Sequence, residues 1–357
     1  MPRCILCQLL LCSLLFFSMS CINKKQSESL QSNKSIKSIN FEIHIMNENF
    51  LFGFPRYMEI SDSLIYIYDN ILKKKINVFK KNGQHLLSFC EKGENIGQIK
   101  QVANMGLDPT DKSRIYVYDN IQRKIIFWKI EKDREVFEEL IVDKLNTISN
   151  SNEVHVIDDD FMFFLGNINI FRYSIFNRKT KKIISFNQEF PNDMNILDCS
   201  DSAQIDMIYN DYAIRSFNLK MNKFVSVTSI GESLEIFKIS NENKITKESQ
   251  ITFSIPLCNN KNYSDEMILL QTGFYDVDVT DSYIFAVLGH VEWEDEKPRT
   301  HRNTIYMFDW NGNVMKKITT NININRFKVD ESKKTIYVIG SRDQEKIKLF
   351  KIDIMSF

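Results

Sequence analysis

Apolar and polar residues alternate over short segments from residue 41 to the C-terminus, and turn residues separate these segments. This period is typical of β-strands that bury one face. The clearest segment is duplicated, because Ile65 to Phe79 is matched in outline by Ile115 to Trp128. The Asp-Asn pairs of the two copies begin at residues 69 and 119, an offset of 50 residues. Strand-based repeats of about this length predict the blades of a β-propeller.

Six such units follow one another along the chain. Their predicted second and third strands are 64–69 with 76–79, 115–119 with 125–130, 161–165 with 170–176, 224–229 with 234–239, 283–288 with 304–310, and 335–339 with 347–352. Five units continue into an outer strand, as at Gln84 to Phe89, whereas only Asp353 to Phe357 remain after the sixth. The alternating segment Phe41 to Met46 precedes the first unit and can cover the last edge, which would otherwise stay open. The sequence therefore predicts an all-β, six-bladed propeller over residues 41–357, closed by an N-terminal strand that completes the last blade.

The first 20 residues predict a secretory signal peptide, with one early cation, an apolar run from Leu9 to Phe17 and small residues before Cys21. Ser18 to Cys21 resembles a bacterial lipobox, in which the cysteine is acylated and becomes the mature N-terminus, although Ser18 replaces the usual leucine. The alternative is an ordinary signal peptide with an incidental cysteine. We expect lipidation of Cys21, a flexible polar tether over residues 21–40, and an extracytoplasmic protein anchored to a bacterial membrane, the outer membrane in our interpretation.

Composition narrows the choice of partners. The chain has 46 basic and 46 acidic residues, so no net charge favours a nucleic-acid partner, and 43% hydrophobic residues are enough for a large core.

Of seven cysteines, only Cys90, Cys199 and Cys258 lie beyond Cys21. This odd, widely spaced set predicts neither a disulfide framework nor a zinc site, and we expect these thiols to be buried.

Several segments resemble the TolB-like six-bladed propeller lipoproteins of Bacteroidetes-type bacteria, which are similar in shape to NHL propellers. They are Tyr66 to Asn70, Glu91 to Gly97, Phe224 to Thr228 with Leu234 to Phe237, and Tyr275 to Ala286. The resemblance covers residues 41–357 and implies the fold, but this family carries no assigned chemistry. The link Glu94 to Gly97 lacks the proline usual in NHL propellers, which weakens any transfer of function from enzymatic NHL members.

In a propeller, the turns between the second and third strands (B-to-C) and the links between blades (D-to-A) share one face, here called the link face. This is the usual binding surface, and we predict a ligand there. The candidate ligand-binding residues are Arg56, Asp69, Asn70, Asn104, Asp119, Asn120, Arg215, Trp293 and Arg326, with His155 and Gln271 also at the funnel rim. No metal or other cofactor is predicted.

Each candidate type has a functional and a structural interpretation. The Asp-Asn pairs at 69 and 119 supply oxygens for a cation or sugar hydroxyl, or they cap their own turns. The arginines match carboxylate or phosphate ligands, or pack their stems with the charged groups in water. Trp293 stacks on a sugar or peptide ring, or packs on its blade. It lies in the insertion His290 to Arg302, which we expect to be a solvated acidic loop.

The chain has no G-x-S-x-G, P-loop or H-E-x-x-H motif, and its five histidines are predicted to lie apart. The favoured hypothesis is a membrane-anchored binding or scaffold protein without a catalytic set, whose ligand is a peptide, glycan or protein. The alternative is a metal-assisted hydrolase or lyase, with Asp69, Asp119 and Glu292 around a central ion. A third hypothesis is a structural partner of an outer-membrane complex.

Overall fold

The computed structural model describes residues 30, 33, 35–132, 134–141, 153–168, 171–190, 207–211, 213–254, 273–294, 297–342 and 345–355. These residues form six antiparallel sheets of four strands each. The innermost strands of neighbouring blades contact one another, as β2 (Pro55–Ile60) does with β6 (Val102–Leu107) and β22 (Asn323–Asp330). The predicted six-bladed β-propeller is confirmed.

Each blade runs from an inner strand A to an outer strand D. Blade 1 is β2, β3 (Leu64–Asp69), β4 (Lys74–Lys80) and β5 (His85–Glu91); blade 2 is β6, β7 (Arg114–Asp119), β8 (Lys124–Glu131) and β9 (Arg134–Ile141); blade 3 is β10 (Glu153–Val156), β11 (Phe161–Ile168), β12 (Phe171–Asn177) and β13 (Lys182–Asn187). Blade 4 is β14 (Ala213–Asn218), β15 (Lys223–Thr228), β16 (Glu232–Ile239) and β17 (Ile245–Ser254); blade 5 is β18 (Phe274–Val279), β19 (Ile284–Glu294), β20 (Lys297–Phe308) and β21 (Val314–Thr319). Blade 6 is β22, β23 (Thr335–Ser341), β24 (Lys348–Ile354) and, from the N-terminal end, β1 (Phe41–Asn47).

Helical structure in the described residues is limited to a π-helical turn, Met207–Asp211, and a 3₁₀ turn, Glu331–Lys333. No helix in this part of the chain has the length and apolar character needed to cross a bilayer.

The middle strands are buried on both faces, whereas the outer strands keep the predicted alternation. In β3 the run Ile65 to Tyr68 is entirely buried, while β13 alternates exposed and partly buried positions until Asn187. The reason is stacking, since each blade packs its middle strands against the blades on both sides. Such middle strands are continuous apolar runs in the sequence, whereas the outermost strand exposes one face to water.

The N-terminal strand closes the ring as predicted. β1 pairs antiparallel with β24, with Phe41 opposite Ile354 and Ile45 opposite Phe350. Phe41, Ile43 and Ile45 pack against the apolar core shared by blades 5 and 6. The outer edge of the last blade is therefore hydrogen-bonded and partly covered.

The segment before β1 differs from the expected free tether. Leu30 is buried, donates its N–H to Glu232 Oε2 at 2.9 Å and accepts a hydrogen bond from the Tyr306 hydroxyl at 3.2 Å. Ile39 is also buried, and its N–H donates to the carbonyl of Lys317 on β21 at 2.9 Å. Ile36 packs against the core between blades 4 and 5, so these apolar side chains and backbone bonds fix the segment on those blades. Leu30 and residues 36–39 are therefore attached to the propeller, and residues 21–29 lie outside the described residues.

Blade 5 differs from the expected acidic loop. β19 and β20 pair as far as Glu294 opposite Lys297, so the insertion lengthens a hairpin. Backbone pairing satisfies its N–H and C=O groups, which a solvated loop would leave to water. Among the three late cysteines, Cys90 is buried as expected, whereas Cys199 and Cys258 lie outside the described residues.

Candidate functional site

A cavity of about 1280 Å³ occupies the central channel and opens on the face of the A-to-B hairpins, here called the hairpin face. The A-to-B connections that line it are Ser61 and Asp62, Asp108, Pro109 and Lys112, Ile157, Leu219 and Lys220, Thr280 to Ser282, and Glu331 to Lys333, so all six blades contribute. Neighbouring inner strands are joined by side chains as well. Asn104 donates to the carbonyl of Val154 at 2.7 Å and accepts its N–H at 3.2 Å.

A largely buried ammonium group lies on the channel wall between two carboxylates. Lys328 Nζ is 3.0 Å from Glu59 Oε1 and 3.2 Å from Asp278 Oδ1. Burial by itself lowers the pKa of Lys328, but Asp278 and Glu59 outweigh it and hold the pKa above its ordinary value. Burial also raises the pKa of Glu59 to about 7, so this carboxyl group can donate or accept a proton near neutral pH.

The two aspartates of β18 join blade 5 to blade 6. Asp276 accepts the backbone N–H of Phe327 at 2.9 Å, and Asp278 accepts that of Val329 at 2.8 Å. Burial raises the pKa of Asp276 to about 6. Both carboxyl groups therefore join blade 5 to blade 6, and Asp278 also lines the cavity.

A second polar chain crosses the opposite wall. The Tyr116 hydroxyl is 3.3 Å from His155 Nδ1, and His155 Nε2 is 3.3 Å from Glu153 Oε2. Arg215 lies 3.6 Å from the other oxygen of Glu153. Burial raises the pKa of Glu153, but Arg215 and the hydrogen bond with His155 outweigh it, so the pKa stays below its ordinary value. When His155 Nε2 donates a hydrogen bond to Glu153, Nδ1 of the neutral ring accepts a hydrogen bond from the Tyr116 hydroxyl.

Apolar groups complete the cavity. The Phe217 ring lies 4.4 Å from the His155 ring, and Met105, Pro109 and Val279 also line the wall. Ion pairs link residues at the opening of the cavity, for example Lys81 and Asp330 at 2.6 Å. The arrangement can hold a polar ligand that offers hydroxyl, amide or charged groups together with a flat apolar surface.

The model of the TolB-like 6-blade propeller-like family matches residues 32–332. The chain belongs to this family. No curated protein matches the sequence. Among solved structures, this TolB-like propeller is similar to a Bacteroides fragilis protein designated a candidate exported protein, with a TM-score of 0.54 and 14% identity over 92% of this chain and 98% of that one.

Two other propellers show how widely this shape is shared. The WD40 repeats of RRP9 superpose with a TM-score of 0.52 and 9% identity, covering 88% of this chain and 100% of that one. A calcium-binding protein, regucalcin from Agrobacterium tumefaciens, gives a TM-score of 0.50 and 10% identity over 89% and 95% of the two chains. At these identities the similarity shows the fold alone.

The TolB-like propeller uses its duplicated aspartates in turns. The Asp69 carboxylate is fully buried and accepts the N–H groups of Gly53, Phe54, Ile71 and Leu72 at 2.7 to 3.2 Å. These bonds join the link before blade 1 to the B-to-C turn. The geometry is the capping interpretation that the sequence allowed for this residue.

Asp119 repeats this arrangement in blade 2. Its carboxylate accepts N–H groups from Lys100, Ile121 and Gln122 at 2.6 to 3.0 Å. Asn70 accepts the Tyr68 hydroxyl at 3.2 Å, and Asn120 is partly buried beside the second turn. The two Asp-Asn pairs lie at their separate turns, and neither pair lines the cavity.

The predicted funnel arginines take different positions. Arg215 lines the cavity, but its guanidinium also donates to the carbonyls of Ala213 and Asn210 at 3.0 and 2.8 Å. Arg326 donates to the carbonyls of Arg56 and Asn325 at the link end of the channel. These guanidinium groups are thus held by the protein itself.

The structure describes the remaining predicted residues only in part. Trp293 lies on β19 opposite Pro298, and the side chains of Trp293 and Glu292 fall outside the described part, as does Gln271. Within the described part, no three or more histidine, cysteine, aspartate or glutamate side chains are grouped as a metal ion would require. Of the carboxylates in the metal-assisted alternative, Asp69 and Asp119 lie at separate turns of blades 1 and 2.

Glu59, Asp278 and Lys328 line the cavity and Asp276 lies near them on β18, yet none of the four was predicted as a site residue. A signal for them existed, since each is a charged residue on an inner strand with an apolar or aromatic residue on either side of it. Inner strands have one face on the channel, so a charge at such a position indicates a channel-facing side chain. Tyr116 carried no such signal because it lies on β7, among buried neighbours.

Proposed function

We propose that this TolB-like propeller is an exported, lipid-anchored binding protein whose ligand enters the central cavity from the hairpin face. The observation that carries the proposal is the 1280 Å³ cavity, whose described wall combines Lys328, Glu59, Tyr116 and His155 with apolar groups. The sequence alone predicts a ligand on the link face. The cavity favours the opposite face, because the inner strands end there in short hairpins that leave the channel open.

Export and anchoring rest on the N-terminal sequence and on the similarity to a candidate exported protein. Cys21 lies outside the described residues, and we propose it as the acylated residue of a protein held at the outer membrane, on the extracytoplasmic side. Peptide mass spectrometry of the protein from a bacterial membrane tests this. A diacylglyceryl group on Cys21 is expected, and an unmodified Cys21 or cleavage elsewhere would contradict it.

We propose a peptide or glycan segment as the ligand class. Such molecules carry hydroxyl, amide or charged groups beside flat apolar surfaces, and the cavity wall offers partners for both. Binding is measured by screening the purified full chain on peptide and glycan arrays, followed by calorimetry of the hits.

A matched pair of variants locates the ligand. Tyr116→Phe removes one cavity hydroxyl and is expected to weaken binding about fivefold, the value of one uncharged hydrogen bond. Tyr118→Phe alters the same strand outside the cavity wall and should leave the affinity unchanged. Equal affinity of Tyr116→Phe and the parent protein, or ligand protection confined to the link face in hydrogen exchange, would refute cavity binding.

The enzymatic alternative predicts a different metal content after dialysis. A metal-assisted hydrolase or lyase would retain stoichiometric calcium or zinc through dialysis, whereas the binding proposal requires no bound metal. Metal analysis of the full chain after dialysis therefore separates the two hypotheses.

A further inference from the structure

Large apolar side chains are exposed together on the link face of blades 1 and 2. Ile71 and Ile121 occupy equivalent positions in the duplicated B-to-C turns and are 67% and 55% exposed, and Ile96 in the link before blade 2 is 79% exposed. Leu51 and Phe54, which lead into blade 1, are also exposed. Several large apolar side chains exposed on neighbouring turns of one face are unusual on a protein surface and mark an interaction site.

The apolar residues of each turn lie next to the preceding link. A Cβ atom added to Gly53 would be 2.8 Å from Ile71 Cβ, so the segment before blade 1 touches the first turn. Gln122 donates to the carbonyl of Gly93 at 2.9 Å, which joins the second turn to its own link. The exposed groups therefore form two neighbouring apolar tips.

Basic residues surround these tips. The exposed or partly exposed charged residues of segments 70–75, 91–100 and 120–124 are the bases Lys73, Lys74, Lys92, Lys100 and Arg123 and the acids Glu91 and Glu94. Glu94 pairs with Lys100 at 2.5 Å and Glu91 with Lys73 at 3.7 Å, and in these segments the exposed or partly exposed bases outnumber the acids by five to two.

Arginines extend this charge to the link end of the channel. Arg302 and Arg326 lie 3.5 and 5.3 Å from the centre of the Tyr275 ring, and Arg326 donates to the carbonyl of Arg56. Apolar tips flanked by bases are the composition of surfaces that bind anionic lipid.

The chain before β1 approaches from the same face. Leu30 is held by Glu232, which directly follows the B-to-C turn of blade 4, a link-face element. Cys21 precedes Leu30 by nine residues, a reach of about 30 Å when extended. Passing along a blade to the hairpin face would use most of this length, because a seven-residue strand spans about 23 Å. A lipid on Cys21 therefore fits best with the link face towards the membrane.

We propose that the link face of blades 1 and 2 docks on an anionic lipid membrane. Ile71, Ile96 and Ile121 enter the headgroup region and the neighbouring bases contact lipid phosphates. The cavity then opens away from the membrane. The orientation rests in part on the proposed anchor at Cys21, whereas the apolar tips and their charge do not depend on it.

Lysine labelling of the full-chain protein tests this orientation. The protein is acetylated with a water-soluble reagent in detergent micelles and on vesicles of phosphatidylethanolamine and phosphatidylglycerol, and the peptides are compared by mass spectrometry. Labelling of Lys73 and Lys74 should fall roughly threefold on vesicles. Lys112 and Lys220 on the hairpin face should be labelled equally in both. Equal labelling of all four, or protection of the hairpin-face pair alone, would overturn the proposal.

The same peptide map separates failure of the docking from failure of the anchor. An acylated Cys21 with unprotected lysines would refute the docking alone, whereas an unmodified Cys21 with protected lysines would refute the anchor alone. Protection that appears in native membranes but not on pure lipid vesicles would show a protein partner in place of lipid and would also refute the proposal.

A matched pair of variants tests the apolar tips. The double variant Ile71→Ser, Ile121→Ser should lose the protection on vesicles, because its turns no longer enter the headgroup region. Ile184→Ser removes an exposed isoleucine from the outer strand of blade 3 and should keep it. Equal melting temperatures would show that each variant is folded. Unchanged protection in the double variant would refute insertion of the turns.

Discussion

Replacing Asp69 by alanine should destabilise the propeller strongly, although no contact with the cavity is lost. The carboxylate is fully buried and accepts four backbone N–H groups, two from the link before blade 1 and two from the B-to-C turn. Removing it leaves these donors without their acceptor, and only those near the exposed Phe54 and Ile71 can regain water. Hydrogen bonds to a charged group contribute about 1.5 kcal/mol or more each, so with partial hydration the loss is about 3 kcal/mol.

Equilibrium unfolding in urea measures this loss, with the buried Trp128 as a fluorescent reporter. For a domain of this size, an m-value of about 3 kcal/mol/M converts the loss into a midpoint shift of about 1 M. Asp119→Ala should behave alike, since its carboxylate has the same role in blade 2. Asp62→Ala, at an exposed hairpin position, is the control and should leave the midpoint within about 0.2 M.

An unchanged midpoint for Asp69→Ala would refute the capping argument. If that variant also lost ligand binding, the cation or sugar interpretation of the Asp-Asn pair would replace it.

Further predictions concern closure and the channel charges. Ile43→Asp should lower the stability by about 3 kcal/mol because Ile43 packs on the core of blade 6, whereas His44→Asp on the exposed side of β1 should cost under about 1 kcal/mol; equal melting temperatures would contradict the closure argument. Because Glu59 has a folded pKa of about 7, above its ordinary value, the folded state binds the extra proton and stability falls as pH rises from about 4.5 to 7. The stability of Glu59→Gln relative to the parent should thus increase over this range, and a constant difference in urea titrations would refute it. Lys328→Met should destabilise by about 3 kcal/mol at pH 8, with partial recovery at pH 5 as carboxyl groups protonate; a loss independent of pH would show that the charge of Lys328 is not its main contribution.

The local sequence pattern was sufficient to predict the six-bladed architecture. Strand alternation, the duplicated Asp-Asn turns and the missing last outer strand together predict six blades and their closure by Phe41 to Met46. Each of these signals depends on neighbours along the chain or on the number of strands. Because backbone N–H and C=O groups must be paired, few folds fit all of these signals. The packed segment before β1 was not predicted because its apolar residues Leu30, Ile36 and Ile39 are too few in a polar stretch to set a period.

The side chains that line the channel come together only when the six blades close into a ring. Glu59 and Lys328 lie near opposite ends of the chain and meet because blade 6 returns beside blade 1. No local pattern records such a pairing, and the same holds for Tyr116 with His155 across blades 2 and 3. The role of an Asp-Asn pair is likewise decided by geometry, since a carboxylate surrounded by four N–H groups caps a turn, whereas the same residues in open water could bind a ligand. Burial and distance, which appear only when the blades stack, select between those roles.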